Sequence, residues 1–153
     1  MSGRWPGWYL QPAPVPARKP KRFQLTPYEP DEDQLHKAVA DLLAWAVPED
    51  LVVWTHFPAG GYFLSPAAKA RLYRLGLKAG MPDLMFWWHS DTGPATLMIE
   101  LKTLKGRLNK HQQEMHPKLL GMGIPVEICR SVAEVLAVLR RYNVPLRAAR
   151  LAA

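Results

Sequence analysis

The sequence contains almost no cysteine and no long hydrophobic run. The single cysteine, Cys129, excludes an internal disulfide and a multi-cysteine zinc site, and it is typical of a protein in a reducing cytoplasm. No apolar run approaches the roughly 18 residues that are needed to cross a bilayer. The stretch 5–15 is partly apolar, but three prolines interrupt it, so we expect no signal peptide there. The sequence therefore predicts a cytoplasmic protein without a membrane segment.

The composition is that of a globular protein with excess positive charge. Of the 153 residues, 48% are hydrophobic and 22% are charged, and this length predicts one domain. Twenty Lys and Arg against 13 Asp and Glu give a net charge of +7. This balance favours a polyanionic partner, either nucleic acid or an anionic membrane, without choosing between them.

The positive charge is concentrated in three parts of the chain. Residues 1–28 carry five basic residues and no acid, and residues 139–153 carry four basic residues and no acid. Between them, residues 29–68 are acidic, with seven acids against one base, whereas 69–118 have nine bases against four acids. The sequence thus indicates a body with one basic segment and two basic ends.

Proline usage divides the chain. The first 30 residues contain seven of the 15 prolines, so we expect an extended, mobile tail over residues 1–28. We predict a folded domain over residues 29–145 and a basic C-terminal tail over residues 146–153.

The folded part alternates helical and strand patterns. The spacing of apolar, turn and capping residues predicts helices from about 31 to 47, 65 to 75, 109 to 120 and 131 to 142. Ser65, Asn109 and Ser131 are the predicted N-caps of the last three, and Ser131 forms a predicted capping box with Glu134. Runs of β-branched and aromatic residues predict strands over 51–57, 83–88, 96–103 and 124–129. Pro58-Ala-Gly-Gly reads as a loop, and residues 89–95 have turn chemistry. The order α-β-α-β-β-α-β-α predicts an α/β fold in which helices flank a small mixed sheet.

Charged residues interrupt two apolar strands of this pattern. If the predicted hairpin is symmetric about its turn, Asp83 lies opposite Glu100, with Cβ atoms about 5 Å apart. Two carboxylates this close favour a hard cation such as Mg²⁺ between them. Side-chain alternation puts Lys102 on the same face as Glu100, where its ammonium could orient a water or stabilise a charged transition state. Glu-x-Lys is also a common solvated surface pair, so this interpretation stays open.

These residues belong to a longer pattern. Gly80-Met-Pro-Asp83-Leu, Ile99-Glu100-Leu-Lys102 and Gly106-Arg-Leu-Asn-Lys-His-Gln112 together resemble the PD-(D/E)XK nuclease superfamily. More narrowly, the sequence from about Glu32 to Tyr142 resembles the VRR-NUC family of phage, bacterial and eukaryotic repair nucleases.

The resemblance implies a restriction-endonuclease-like core and a set of site residues. Asp83 and Glu100 would bind Mg²⁺ or Mn²⁺ together with the backbone carbonyl of Leu101, and Glu32 would complete the metal site. Lys102 would be the catalytic lysine, and Gln112 the active-site glutamine on the following helix. The alternative for Glu32 and its neighbours Asp31 and Asp33 is a favourable interaction with the helix dipole.

Histidines are weaker candidates. His56-Phe-Pro-Ala59-Gly-Gly resembles a His-x-Pro-Asn-Gly segment of the family, although Ala59 replaces the usual asparagine. His56 is therefore a candidate for lining the site, or else a structural histidine. His36 lies on the first helix and could reach the site. His111 and His116 are five residues apart, which is the wrong spacing for one helix face.

Basic residues flank the motif on both sides, where phosphate contacts could position a duplex. An ordinary solvated surface is the alternative. The candidates for DNA binding are Lys69, Arg71, Arg74, Lys78, Lys105, Arg107 and Lys110.

The sequence and the resemblance together predict a metal-dependent DNA endonuclease that hydrolyses phosphodiester bonds. The resemblance implies action on branched DNA such as four-way junctions, a homodimer, and a bacterial or phage-infected cell. The alternative is a non-catalytic nucleic-acid-binding accessory protein with a nuclease-like fold. A membrane-surface role is disfavoured because the basic tails lack an amphipathic helix.

Overall fold

The computed structural model of the protein describes residues 31–57 and 65–147. The predicted tail over 1–28 and the predicted loop Pro58-Ala-Gly-Gly lie outside the described residues. Within them, the chain forms four helices and four strands in the predicted order α-β-α-β-β-α-β-α. The elements are α1 (Glu32–Ala46), β1 (Val52–His56), α2 (Pro66–Arg74), β2 (Leu84–Ser90), β3 (Gly93–Leu101), α3 (Lys110–Gly121), β4 (Val126–Cys129) and α4 (Val132–Arg141).

The four strands form one mixed sheet in the order β1-β2-β3-β4. The first three strands are antiparallel neighbours, and β4 joins β3 in parallel after the α3 crossover. The β2–β3 hairpin has the predicted register, with Trp88 opposite Ala95 and Leu84 opposite Ile99. Its turn is tighter than predicted, because pairing continues to Ser90 and Gly93. The register places Asp83, one residue before β2, beside Glu100.

Helices cover both faces of the sheet. On one face, α1 and α4 pack against apolar strand residues such as Phe86, Leu97 and Ile99, which are all fully buried. Side-chain alternation turns Glu100 to the other face, where it contacts α3. The predicted α/β class and the small mixed sheet flanked by helices are therefore confirmed. No helix among the described residues is long and apolar enough to cross a membrane.

Side chains that begin the helices explain the element boundaries. Asp31 is the N-cap of α1 and forms a capping box with Gln34, and Asn109 does the same for α3 with Gln112. Ser131 caps α4 as predicted, but the capping box predicted with Glu134 is incomplete. The Glu134 carboxylate accepts a hydrogen bond from the backbone N–H of Arg130 at 2.7 Å instead.

The chain after α4 packs against the domain as far as it is described. Leu146 contacts the hydrophobic core, and the backbone N–H of Arg147 donates to the carbonyl of Ala46 at 2.8 Å. Both residues fall in the segment 146–153 that the sequence assigns to a basic tail. The segment after α4 is therefore bound to the C-terminal end of α1 by a hydrogen bond and to the core by an apolar contact.

Candidate functional site

The approach to β2 fixes the position of Asp83. Gly80 has a positive φ of 82°, and a Cβ at this position would lie 2.2 Å from the backbone oxygen of His111. Only glycine fits so close an approach to the first turn of α3. Farther along, the carbonyl of Asp83 accepts from the N–H of Phe57 at 2.7 Å, and its Oδ2 accepts from the N–H of Leu101 at 2.8 Å. The Asp83 side chain is thus held between β1 and β3.

Glu100 and Lys102 form a buried ion pair. The Lys102 Nζ lies 2.7 Å from Glu100 Oε1, and the two residues are 7% and 0% exposed. Burial excludes the interpretation of this Glu-x-Lys sequence as a solvated surface pair. Desolvation lowers the pKa of Lys102, but its hydrogen bond to Glu100 and the charges of Glu100, Glu32 and Asp83 raise it by more. The pKa of Lys102 is therefore above the ordinary lysine value, and the side chain is charged at neutral pH.

Gln112 connects the start of α3 to this ion pair. Its amide nitrogen donates to Glu100 Oε1, while its Oε1 accepts from the backbone N–H of Asn109 at 2.9 Å. One side chain thus completes the capping box of α3 and holds the Glu100 carboxylate. The structure places Gln112 beside Glu100, where the family resemblance puts a glutamine.

Glu32 is the member of the first-turn acids that reaches the cluster. Its Oε1 lies 3.3 Å from Lys102 Nζ, whereas Asp31 caps the helix and Asp33 is exposed. Glu32 thus contacts the cluster through Lys102, and its role as a metal ligand stays a prediction. Lys102 is shared between Glu32 and Glu100.

Two histidines lie on the other side of Asp83. His36 Nε2 is 3.6 Å from Asp83 Oδ2, and the rings of His36 and His56 meet edge to face with centroids 5.2 Å apart. Burial lowers the pKa of His36, but Asp83, helped by Glu32 and Glu100, raises it by more. For His56, desolvation and the charge of His36 lower the pKa, and Asp83 only partly opposes them.

His36, His56 and Asp83 offer a group of ligands for a metal ion. One nitrogen of each ring and one oxygen of the carboxylate all lie within 4.8 Å of one another. Glu100 is not a member of this group. Over residues 31–57 and 65–147, no other group of three or more His, Cys, Asp or Glu side chains has ligand atoms this close together. Sequence reasoning placed His36 and His56 near the site but did not join them to Asp83. Helix periodicity brings His36 to the same side of α1 as Glu32, which is the signal that could have found it.

His116 is a site neighbour that sequence reasoning missed. Its Nε2 lies 3.7 Å from Glu100 Oε2, and neither of these buried atoms has a hydrogen-bond partner within the described part of the chain. The residue was dismissed because its spacing from His111 is wrong for a shared metal. The relevant spacing was instead from Gln112, four residues earlier, which places both side chains on the Glu100 side of α3.

The predicted DNA-binding residues precede and follow the cluster residues Asp83, Glu100 and Lys102 in the chain. All of them are exposed except Lys69, which is half-buried, and none has an acidic partner among the described residues. Residues 103–109 connect Lys102 to the helix that carries Gln112, so Lys105 and Arg107 lie on a segment with both ends at the site. Lys69, Arg71 and Arg74 lie on α2, and Lys78 lies in the turn between α2 and Gly80. Contact of these residues with DNA remains a prediction, as does the Leu101 carbonyl as a ligand.

The arrangement combines three acids, one charged lysine and a glutamine around the end of β3. Carboxylates of this kind bind divalent cations, and an adjacent ammonium can stabilise negative charge that develops on a phosphate.

A protein-family model described as the VRR-NUC domain matches residues 31–133, about two-thirds of the chain. It covers Glu32, Asp83, Glu100, Lys102 and Gln112. No curated protein and no solved structure gives a significant match.

Proposed function

This chain belongs to the VRR-NUC family, a nuclease family of the PD-(D/E)XK type, and we propose that it is a metal-dependent endodeoxyribonuclease. It hydrolyses phosphodiester bonds with Mg²⁺ or Mn²⁺, acts on branched DNA such as four-way junctions, and works as a homodimer. The observation that carries this proposal is the buried cluster of Glu100, Lys102 and Gln112 beside Asp83.

The residues fit a divalent cation. Glu100 Oε2 is buried without a hydrogen-bond partner among the described residues, although a buried carboxylate oxygen normally has one. The Asp83 carboxylate accepts from the Leu101 N–H through Oδ2, which fixes its orientation. In the proposal Asp83, Glu100, Glu32 and the Leu101 carbonyl hold the cation. Such an ion supplies a water of lowered pKa and neutralises charge on the phosphate.

The protein's own groups have separate tasks in this mechanism. Lys102 stays protonated because its pKa is raised, so its ammonium is available to orient the attacking water or to stabilise the pentacovalent transition state. Gln112 fixes the Glu100 carboxylate and thereby its orientation toward the phosphate. Leu101 fixes Asp83 through its backbone N–H. Both carboxylates are thus held in place before substrate binds, which is the preorganisation that such catalysis requires.

The basic residues around the cluster bring the substrate to it. Lys105 and Arg107 lie between the catalytic strand and α3, and both are exposed. Contacts of this kind bind the DNA backbone without reading sequence, which agrees with recognition of DNA structure. A four-way junction has two-fold symmetry, and two copies of this single-site domain would match it.

Cleavage assays test the proposal. The full-length protein is incubated with supercoiled plasmid, linear duplex and a labelled four-way junction, in Mg²⁺, in Mn²⁺ and in EDTA. We expect cleavage of the junction in either metal, no cleavage in EDTA, and products with 5′-phosphate ends. A crosslinking or sedimentation measurement on the same junction should show two protein copies.

Two results would change the conclusion. Binding of DNA without cleavage in every metal would favour the accessory protein that the sequence left as an alternative. Cleavage that persists in EDTA would contradict the metal mechanism while leaving a nuclease.

A further inference from the structure

We propose that His36, His56 and Asp83 form a binding site for a divalent transition-metal ion, adjacent to the carboxylate cluster. The inference rests on the proposed function only in sharing Asp83 with that cluster. The class of ligand is a borderline ion of the Mn²⁺ to Zn²⁺ series rather than Mg²⁺.

The geometry is close to that of a bound ion. The three ligand atoms lie within 4.8 Å of one another. Ligand atoms about 2.1 Å from one ion can be no more than about 4.2 Å apart. Side-chain movements of less than about 1 Å therefore bring all three onto a common centre.

The donor set decides which ion fits. Two imidazole nitrogens and one carboxylate oxygen form the set that binds Fe²⁺ and related ions with open positions, and imidazole suits Zn²⁺ and other late first-row metals. Mg²⁺ takes oxygen ligands and seldom binds imidazole. The carboxylate cluster of Glu100 and Glu32 offers oxygen ligands alone. The chain thus presents two different donor environments on either side of Asp83.

The three ligands come from separate elements that the fold holds together. His36 lies on α1, one turn after Glu32, and its side chain reaches Asp83 at the start of β2. His56 ends β1 and is paired in register with Leu84, the residue after Asp83. Asp83 is fixed by the Leu101 N–H, which donates to its Oδ2 at 2.8 Å, and the same oxygen lies 3.6 Å from His36 Nε2. A site assembled from a helix and two strands is preorganised, so little ordering is required on binding.

Metal binding is measured directly, with Co²⁺ as the probe because it reports its ligands through its visible absorption. The full-length wild-type protein is titrated with Co²⁺ by calorimetry and by absorption, and with Mg²⁺ by calorimetry alone. We expect tighter binding of Co²⁺ than of Mg²⁺. His56→Ala should weaken Co²⁺ binding at least about 10-fold and change the Co²⁺ spectrum, since an imidazole ligand is lost.

Two further variants complete the test. His89→Ala removes another exposed histidine of the same sheet, and it should leave Co²⁺ binding unchanged. His36→Gln should weaken binding like His56→Ala, and it provides an independent readout if one variant fails to fold. Circular dichroism of each variant shows whether the fold is kept.

Equal Co²⁺ affinity in the wild type, His56→Ala and His36→Gln would overturn the inference. Glu100→Gln separates it from the proposed function. If Co²⁺ binding is lost in Glu100→Gln but kept in both histidine variants, the ion sits among the carboxylates and the inference fails while the nuclease proposal stands. If Co²⁺ binding depends on His56 but no metal supports DNA cleavage, the inference stands and the proposed function fails.

Discussion

Replacing Lys102 with methionine should destabilise the folded domain by leaving the Glu100 carboxylate without its buried cation. Lys102 Nζ lies 2.7 Å from Glu100 Oε1 and 3.3 Å from Glu32 Oε1, and Glu100 is fully buried. Methionine keeps most of the side-chain volume but removes the positive charge. The Glu100 carboxylate would then be buried with only Gln112 as a direct donor.

The magnitude follows from the burial. Removing one partner of a buried ion pair typically costs about 3–5 kcal/mol, because the remaining charge is uncompensated. Because Glu100 keeps its hydrogen bond from Gln112, we expect Lys102→Met to lower the free energy of unfolding by about 3 kcal/mol, the lower end of this range. For a domain of this size that corresponds to a fall in Tm of roughly 10 °C.

The pH dependence has a definite sign. The pKa of Lys102 is raised by its acidic neighbours, so its contribution to stability is complete below the ordinary lysine value of about 10.4 and is lost above it. The difference between wild type and Lys102→Met should therefore be full at pH 7. It should stay the same up to about pH 9, because Lys102 is protonated over that whole range in both the folded and the unfolded wild type.

Urea unfolding of the metal-free protein at pH 7 and at pH 9 measures this difference, which should be the same at both values. Lys105→Met is the matched control, since Lys105 is exposed and has no acidic partner among the described residues, and it should change stability by less than about 0.5 kcal/mol. Equal stability of Lys102→Met and wild type at pH 7 would refute the reasoning. A difference that fell between pH 7 and pH 9 would also contradict it.

Three further predictions concern other parts of the chain. Gly80→Ala should destabilise the protein by more than about 2 kcal/mol and reduce cleavage, because its Cβ would collide with the backbone of His111 and displace Gln112. Cys129 should resist alkylation in the native protein and react fully in denaturant, because burial and nearby Glu134 and Glu127 raise the pKa of its thiol to about 12. Deleting residues 1–28 removes five basic residues, so DNA affinity should fall and its salt dependence should flatten, by up to about 4 in the log–log slope.

Each of these predictions has its own control. Gly123 has a positive φ of 78° but open space around a Cβ, so Gly123→Ala measures backbone strain alone and should cost about 1 kcal/mol. Equal effects of the two glycine variants would show that contact with α3 is unimportant. Rapid modification of native Cys129 by a thiol reagent would contradict its burial. An unchanged salt slope after the deletion would remove the N-terminal segment from DNA binding, provided that metal-dependent cleavage is still measurable.

Much of the fold could be predicted because local signals were strong. Helix caps at Ser65, Asn109 and Ser131, and the symmetric hairpin, fixed the order of elements and the register that brings Asp83 to Glu100. The predicted turn over residues 89–95 is longer than the one observed, because strand pairing continues through His89 and Pro94 to Ser90 and Gly93. The Glu134 carboxylate accepts from the backbone N–H of Arg130 and not from that of Ser131, so the predicted capping box is incomplete.

The site was harder to predict where it depends on packing between distant elements. The chain pattern and the family resemblance identified Asp83, Glu100, Lys102 and Gln112, and these residues do lie together. His116 was missed because its neighbour Glu100 is on a strand and not on its own helix. Predicting that His36, His56 and Asp83 lie together requires knowing how α1 packs against the sheet, and no local sequence pattern gives that packing.

The central claim is that Asp83 holds a metal ion for DNA cleavage, and Asp83→Asn tests it most directly. Asparagine keeps the shape and an oxygen that can accept from the Leu101 N–H, so the fold should be retained. The measurement is the cleavage rate of a labelled four-way junction by wild-type and Asp83→Asn protein in Mg²⁺. The account predicts a loss of at least about 100-fold with junction binding retained. Cleavage at the wild-type rate by Asp83→Asn would contradict it.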